Sequence, residues 1–143
     1  METTIITNSF EETRKLGFDF AKKVEDVSVL ALYGDLGSGK TTFIQGLAKG
    51  LGINKKIISP TFIIMRSYEV PVIFKKSHFY HVDLYRVSSE DNVRELGLVE
   101  LINDPDNLLA IEWPEKILKL LPERRLDLHF RYIDEHKRKI IIR

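Results

Sequence analysis

Residues 34–41 read Gly-Asp-Leu-Gly-Ser-Gly-Lys-Thr, a glycine-rich run closed by a lysine and a hydroxyl residue. What flanks it constrains the fold most. Upstream, Val27 to Tyr33 is a nearly unbroken apolar run of strand length, the pattern of a strand buried on both faces of a sheet. Downstream, Phe43, Leu47, Ala48 and Leu51 recur at helical spacing, and Gly52 is a suitable stop. A buried strand, this loop and a helix together satisfy G-x-x-x-x-G-K-[ST] in the context its mechanism requires. Gly34, Gly37 and Gly39 let successive backbone N–H groups face one anion. The helix opening near Lys40 adds its amide donors and positive dipole end. Lys40 supplies a flexible point charge for terminal phosphates, and the Thr41 hydroxyl is a ligand for Mg²⁺. Thr42 is a second hydroxyl that register places on helix surface.

The rest of the chain alternates strands and helices, which predicts an α/β domain spanning residues 1–143. Thr3 to Thr7 is a β-branched run. Ser9 and Glu12 form a capping-box pattern ahead of Leu16, Phe20 and Val24, which mark one helix face. Phe62 to Tyr68 and His78 to Tyr85 read as strands, separated by a lysine-bearing stretch with Pro71. Ser88 to Leu101 reads as one helix, Leu108 to Ile111 as a short buried strand, and Pro114 opens a short helix to Leu121. Leu126 to Tyr132 and Ile140 to Ile142 suggest a closing hairpin across Asp134 to Lys137.

Composition narrows the function classes. Lys and Arg number 22 against 21 Asp and Glu, so bulk charge cannot drive nucleic-acid or membrane binding. There is no cysteine, which excludes thiolate metal sites and cysteine nucleophiles. Met1 to Thr7 lacks a basic region followed by an apolar run, and no apolar run approaches membrane-spanning length. The expected location is therefore the cytoplasm.

A phosphate loop needs an acid across the sheet for Mg²⁺. Asp83 and Glu112 each end an apolar strand run, where phosphates bind in such sheets. Spacing leaves open which one touches the metal and which positions water. His78 and His81, three apart, face opposite sides of a strand, which argues against a zinc pair. His81 shares a face with Asp83 and either orients it or is a satisfied core histidine. Thr61, in Ser59-Pro60-Thr61-Phe62, could sense a terminal phosphate, although the residues alone favour a plain turn. Trp113, the only tryptophan, is either core or part of a nucleotide wall. Arg124-Arg125 and Lys137-Arg138-Lys139 read as solvated charge, and no arginine finger is evident near the loop. No Asp has Gly three residues on, and Asn54-Lys55-Lys56-Ile57 lacks the aspartate of a guanine reader, so ATP is the expected nucleotide.

The segments Gly34 to Thr42, Ser59 to Phe62, His81-Val82-Asp83-Leu84-Tyr85-Arg86 and Glu112-Trp113-Pro114 together resemble the TsaE family, small bacterial ATPases of tRNA threonylcarbamoyladenosine synthesis. The resemblance implies a P-loop NTPase-like, three-layer fold with a mixed, mostly parallel sheet. It implies ATP and Mg²⁺ as cofactors, with Gly34, Asp35, Leu36, Gly37, Ser38, Gly39, Lys40, Thr41 and Thr42 around the nucleotide. It puts Thr41, Asp83 and Glu112 at the metal, and Lys40, Asp83 and Glu112 at the reaction. Thr61 would respond to nucleotide and Trp113 would lie near it. The implied partners are TsaD and TsaB, with tRNA reached only through them and no membrane involved. The implied role is to hydrolyse ATP in support of that pair without transferring the threonylcarbamoyl group. Two other classes share the loop: a small-molecule kinase, for which Arg124-Arg125 is the lid candidate, and a nucleotide-dependent binding switch without essential turnover.

Overall fold

The computed structural model describes residues 2–58, 64–71 and 74–143. Seven strands form one sheet: β1 (Thr3–Thr7), β2 (Val29–Tyr33), β3 (Met65–Glu69), β4 (His78–Asp83), β5 (Asn107–Glu112), β6 (Leu126–Tyr132) and β7 (Arg138–Ile142). Their spatial order is β1-β7-β6-β2-β5-β4-β3. The four central strands, β6, β2, β5 and β4, are mutually parallel. Antiparallel strands extend the sheet at both ends: β3 beside β4, and β7 and β1 beyond β6. The mixed, mostly parallel sheet expected above is therefore observed, with the closing β6–β7 hairpin as its route to one edge.

Both faces of the sheet are covered. Helix α1 (Phe10–Phe20) packs on α2 (Lys40–Gly50), and together they cover Leu30, Leu32, Phe79, Leu108, Ala110 and Leu128. On the opposite face, α3 (Glu90–Glu95), α4 (Leu98–Ile102) and a 3₁₀ segment at Pro114–Leu120 cover Val29, Ala31, Val82, Leu109 and Ile111. Burial on both faces is why β2 and β5 are continuous apolar runs: every residue of β5 is buried. Each large side chain so buried contributes about 1.5–3 kcal/mol.

Local signals explain the element ends. Ser9 Oγ accepts the Glu12 N–H at 3.1 Å, and Glu12 Oε2 accepts the Asn8 N–H at 2.8 Å, so the capping-box pattern is realised one residue wide of its usual return bond. The single helix expected over Ser88 to Leu101 is two helices. Gly97 adopts φ +75°, a left-handed turn that ends α3 and starts α4. No helix among the described residues is long and apolar enough to cross a membrane.

Candidate functional site

The parallel strands β2, β5 and β4 end side by side, and the loop of residues 34–39 leads from β2 into α2. Gly34 has φ +148°, and a Cβ there would stand 2.6 Å from Ser38 Oγ and 2.7 Å from the Phe130 carbonyl oxygen. Only glycine allows both that conformation and that crowding. Gly39, at φ +105°, is the N-cap of α2, and the first helical bond runs from the Phe43 N–H to the Gly39 carbonyl. The amides of Lys40, Thr41 and Thr42 thus precede the helical ladder and are donors for an anion at the positive end of the helix.

A cavity of about 480 Å³ opens over this helix end. Leu36, Gly37, Gly39, Lys40, Thr41 and Thr42 line its floor. Asp83, Glu112 and Trp113 line one side, so the structure brings both strand-end carboxylates and the tryptophan to the loop. Asp83 and Glu112 are register partners across β4 and β5. Gly34, Asp35 and Ser38 face a second cavity of about 400 Å³, bordered by Tyr33, His129 and Tyr132, on the other side of the loop. Thr61, with the rest of Ser59 to Phe62, lies outside the described residues.

Lys40 is buried, 4% exposed. Its Nζ donates to the Gly34 carbonyl and stands 4.2 Å from the centroid of the Trp113 ring. Burial pushes its pKa down, while Glu112 and Asp83 pull it back up. Burial removes water from the Lys40 side chain, so an anion brought to it gains more than it would in bulk water. Trp113 holds the left-handed conformation, φ +61°, and is the only non-glycine with positive φ among the described residues. A bulky residue there costs of order 1–3 kcal/mol, and such backbone strain gathers at functional sites. The turn swings the chain from β5 into the 3₁₀ segment and lays the indole against Tyr85, 5.1 Å between ring centroids.

The carboxylates are held differently. Asp83 is half-buried, and its Oδ1 accepts the Tyr85 N–H at 3.0 Å. Glu112 is 4% exposed, and its Oε2 lies 2.6 Å from His81 Nε2. His81 therefore serves Glu112, its diagonal neighbour on the adjoining parallel strand. Of the two roles left open for this histidine, orienting Asp83 is not the one observed. Sequence alone did not place Phe10 or Arg138 on the cavity wall, where they stand with Tyr85 and Arg86 of the His81 to Arg86 segment. Arg138 corrects the expectation of a solvated charge run. It is 4% exposed, donates to the Asp134 and Lys137 carbonyls, and its guanidinium lies 4.5 Å from the Tyr132 ring centroid. With Arg86 it lines the cavity beside a loop near which no arginine finger was evident, its methylenes approaching Gly39. The only local signal for Arg138 was its place beside the alternating Leu126 to Tyr132 strand.

The residues present suit Mg²⁺. That ion binds through one or two carboxylates plus waters and phosphate oxygens, not through an all-protein cage. Thr41, Asp83 and Glu112 share one cavity, and no group of three or more His, Cys, Asp or Glu encloses a metal among the described residues.

The chain is similar to known proteins over nearly its whole length. The family model described as threonylcarbamoyl adenosine biosynthesis protein TsaE matches residues 7–140. The tRNA threonylcarbamoyladenosine biosynthesis protein TsaE of Rickettsia bellii is 39% identical over 141 residues, covering 96% of this chain and 92% of that protein. The protein of the same description from Bacillus subtilis is 38% identical over 130 residues, covering 91% and 78%. Among solved structures, Bacillus subtilis YdiB superposes with a TM-score of 0.80 at 31% identity, covering 99% of this chain and 84% of that one. A family match over residues 7–140, with a relative 39% identical along 96% of this chain, shows that the chain belongs to the TsaE family.

Proposed function

We propose that this protein is the Mg²⁺-dependent ATP-hydrolysing component of tRNA threonylcarbamoyladenosine biosynthesis, supporting turnover of a TsaD–TsaB pair without transferring the threonylcarbamoyl group itself. One observation carries the hydrolytic part. A glycine-rich loop, Lys40 and Thr41 share a single cavity with two carboxylates from neighbouring parallel strand ends. The pathway follows from the description of the family and its relatives.

In this reading the amides at the start of α2 and the Lys40 ammonium bind the terminal phosphates of ATP. Phosphate charge offsets the burial that weakens the protonated lysine. Thr41 and Asp83 would hold Mg²⁺, with Glu112 beside them. The ion, when bound, neutralises charge on the β- and γ-phosphates. Glu112 orients and polarises the attacking water, whose oxygen bonds to the γ-phosphorus as the bond to the β–γ bridging oxygen breaks. ADP and inorganic phosphate leave, and the water proton passes to solvent or phosphate. Trp113 and Tyr85 shield that side of the cavity from bulk water.

Of the two rival readings, a small-molecule kinase is disfavoured by the fate of its lid candidate. Arg125 pairs with Asp127 at 2.9 Å and donates to the Pro122 carbonyl, and neither it nor Arg124 lines the cavity. Steady-state phosphate release, with and without the TsaD–TsaB pair, tests the proposal. The isolated protein is expected to turn over slowly and the pair to accelerate it, with Lys40→Ala as background. Binding that depends on ATP with unchanged turnover would instead establish the switch.

A further inference from the structure

Glu112 does not sit in its cavity by chance of rotamer. It is a carboxylate 4% exposed at the end of a fully buried strand, and the one side-chain hydrogen bond seen for it is to His81. His81 is itself 0% exposed, on the face of β4 that packs toward α2. Its register partner is Ala110, a small residue, so the imidazole has room to reach diagonally across β5 to the next residue on the same face, Glu112. A fully buried imidazole bonded at 2.6 Å restricts a carboxylate more than exchanging water would.

We propose that His81 is the positioning residue of the site: it fixes the Glu112 carboxylate by donating from Nε2 to Oε2, leaving Oε1 as the oxygen turned to the cavity chemistry. The proposal rests on the hydrolytic reading for its consequence, though not for the bond itself. The tautomer follows from burial. Nδ1 is buried and has no hydrogen-bond partner among the described residues. An orphaned buried N–H is rarer than an orphaned acceptor, so the proton sits on Nε2, where it has a partner. Asp83, by contrast, takes its orientation from its own backbone turn through the Tyr85 N–H. The two carboxylates are thus held by independent devices, and losing the histidine should disable one without the other.

Four substitutions and a pair of spectra test this. His81→Phe keeps the ring and removes the donor. It should lower phosphate release by about 10- to 100-fold, the usual effect of losing such an outer partner. ATP–Mg²⁺ affinity, followed by Trp113 fluorescence, should stay near the parent value. His81→Gln carries an amide donor as far out as Nε2 and should restore much of the turnover. His81→Asn, whose amide is one methylene shorter, should not. In a Glu112→Gln background His81→Phe should leave the residual phosphate release, read in single-turnover assays, unchanged, because the histidine acts only through that carboxylate. Nitrogen-15 spectra of the parent protein should show the Nε2–H tautomer, and Glu112→Gln should shift that nitrogen. Equal rescue by Gln and Asn, a full further loss on Glu112→Gln, or an Nδ1–H tautomer would each overturn the proposal. If His81→Phe does not fold, the Gln-to-Asn comparison and the parent spectrum decide. If the parent protein releases no phosphate, the hydrolytic reading falls, and the spectrum still judges the His81–Glu112 bond.

Discussion

Gly46→Ala isolates the contact that seats α2 against α1. Position 46 lies mid-helix in α2, where alanine is intrinsically better than glycine by about 1 kcal/mol. A naive reading therefore expects a more stable protein. The structure reverses the sign. A Cβ at Gly46 would stand 1.8 Å from the Arg14 carbonyl oxygen and 2.7 Å from its carbon. Ordinary contact begins near 3.4 Å, so α1 and α2 must part by about 1.6 Å. The obstacle is backbone, not the end of a flexible side chain. The same interface is close at Gly17, where a Cβ would meet the Phe43 carbonyl oxygen at 2.1 Å, so there is no slack along it. Parting the helices also pulls on the edge-to-face pair of Phe20 and Phe43, 5.5 Å apart. Overpacking typically costs 1–3 kcal/mol and sometimes more, which outweighs the propensity gain. With a 1.8 Å approach to backbone, the upper part of that range, about 2–3 kcal/mol, applies; less the propensity gain, a net loss of about 1–2 kcal/mol is expected, which lowers Tm by roughly 3–7 °C. Urea unfolding with a constant m-value measures it, and Lys49→Ala, on an exposed position of α2, is the control, expected within about 0.5 kcal/mol of the parent. A Gly46→Ala protein as stable as the parent or more so would refute the close-approach argument.

Lys40→Ala should fold cooperatively yet lose the thermal stabilisation conferred by ATP–Mg²⁺, about 2.7 kcal/mol in the parent at ~100 times Kd; a wild-type shift would remove the lysine from phosphate binding. Asp83→Asn should raise the Mg²⁺ concentration needed for half-maximal phosphate release, whereas Glu112→Gln should keep nucleotide and lose turnover; a metal titration giving the reverse pattern exchanges the two roles. Burial holds the pKa of His129 below its ordinary 6.5, with Arg143 acting in the same direction. As pH falls below ~6.5 the unfolded chain therefore takes up the proton first, and folding stability drops until the folded pKa is passed. His129→Phe, which retains a ring against Tyr33, should flatten that acid-side slope in urea unfolding between about pH 7 and pH 5; an unchanged slope would show that other groups carry it.

The strand, loop and helix around residues 34–41 were legible because each is specified by its own residues. A two-sided buried strand reads as an apolar run, and the glycines mark the turn. A helix announces itself by its period. Asp83 and Glu112, which the structure brings to the cavity beside that loop, stood out for the same reason, since a carboxylate that ends an apolar strand run is conspicuous locally. What lay beyond the sequence depended on pairing between distant segments. The parallel register of β4 against β5 set Ala110 opposite His81 and gave the imidazole to Glu112, not to the nearer Asp83. The antiparallel return of β7 between β6 and β1 carried Arg138 from an ordinary-looking basic run into the cavity wall. Gly97 broke an acceptable helical pattern because packing rewarded a left-handed turn there. Local chemistry thus marked the glycine-rich loop and the two strand-end carboxylates that share its cavity, and only the lateral order of the strands decided which side chains hold those carboxylates in place.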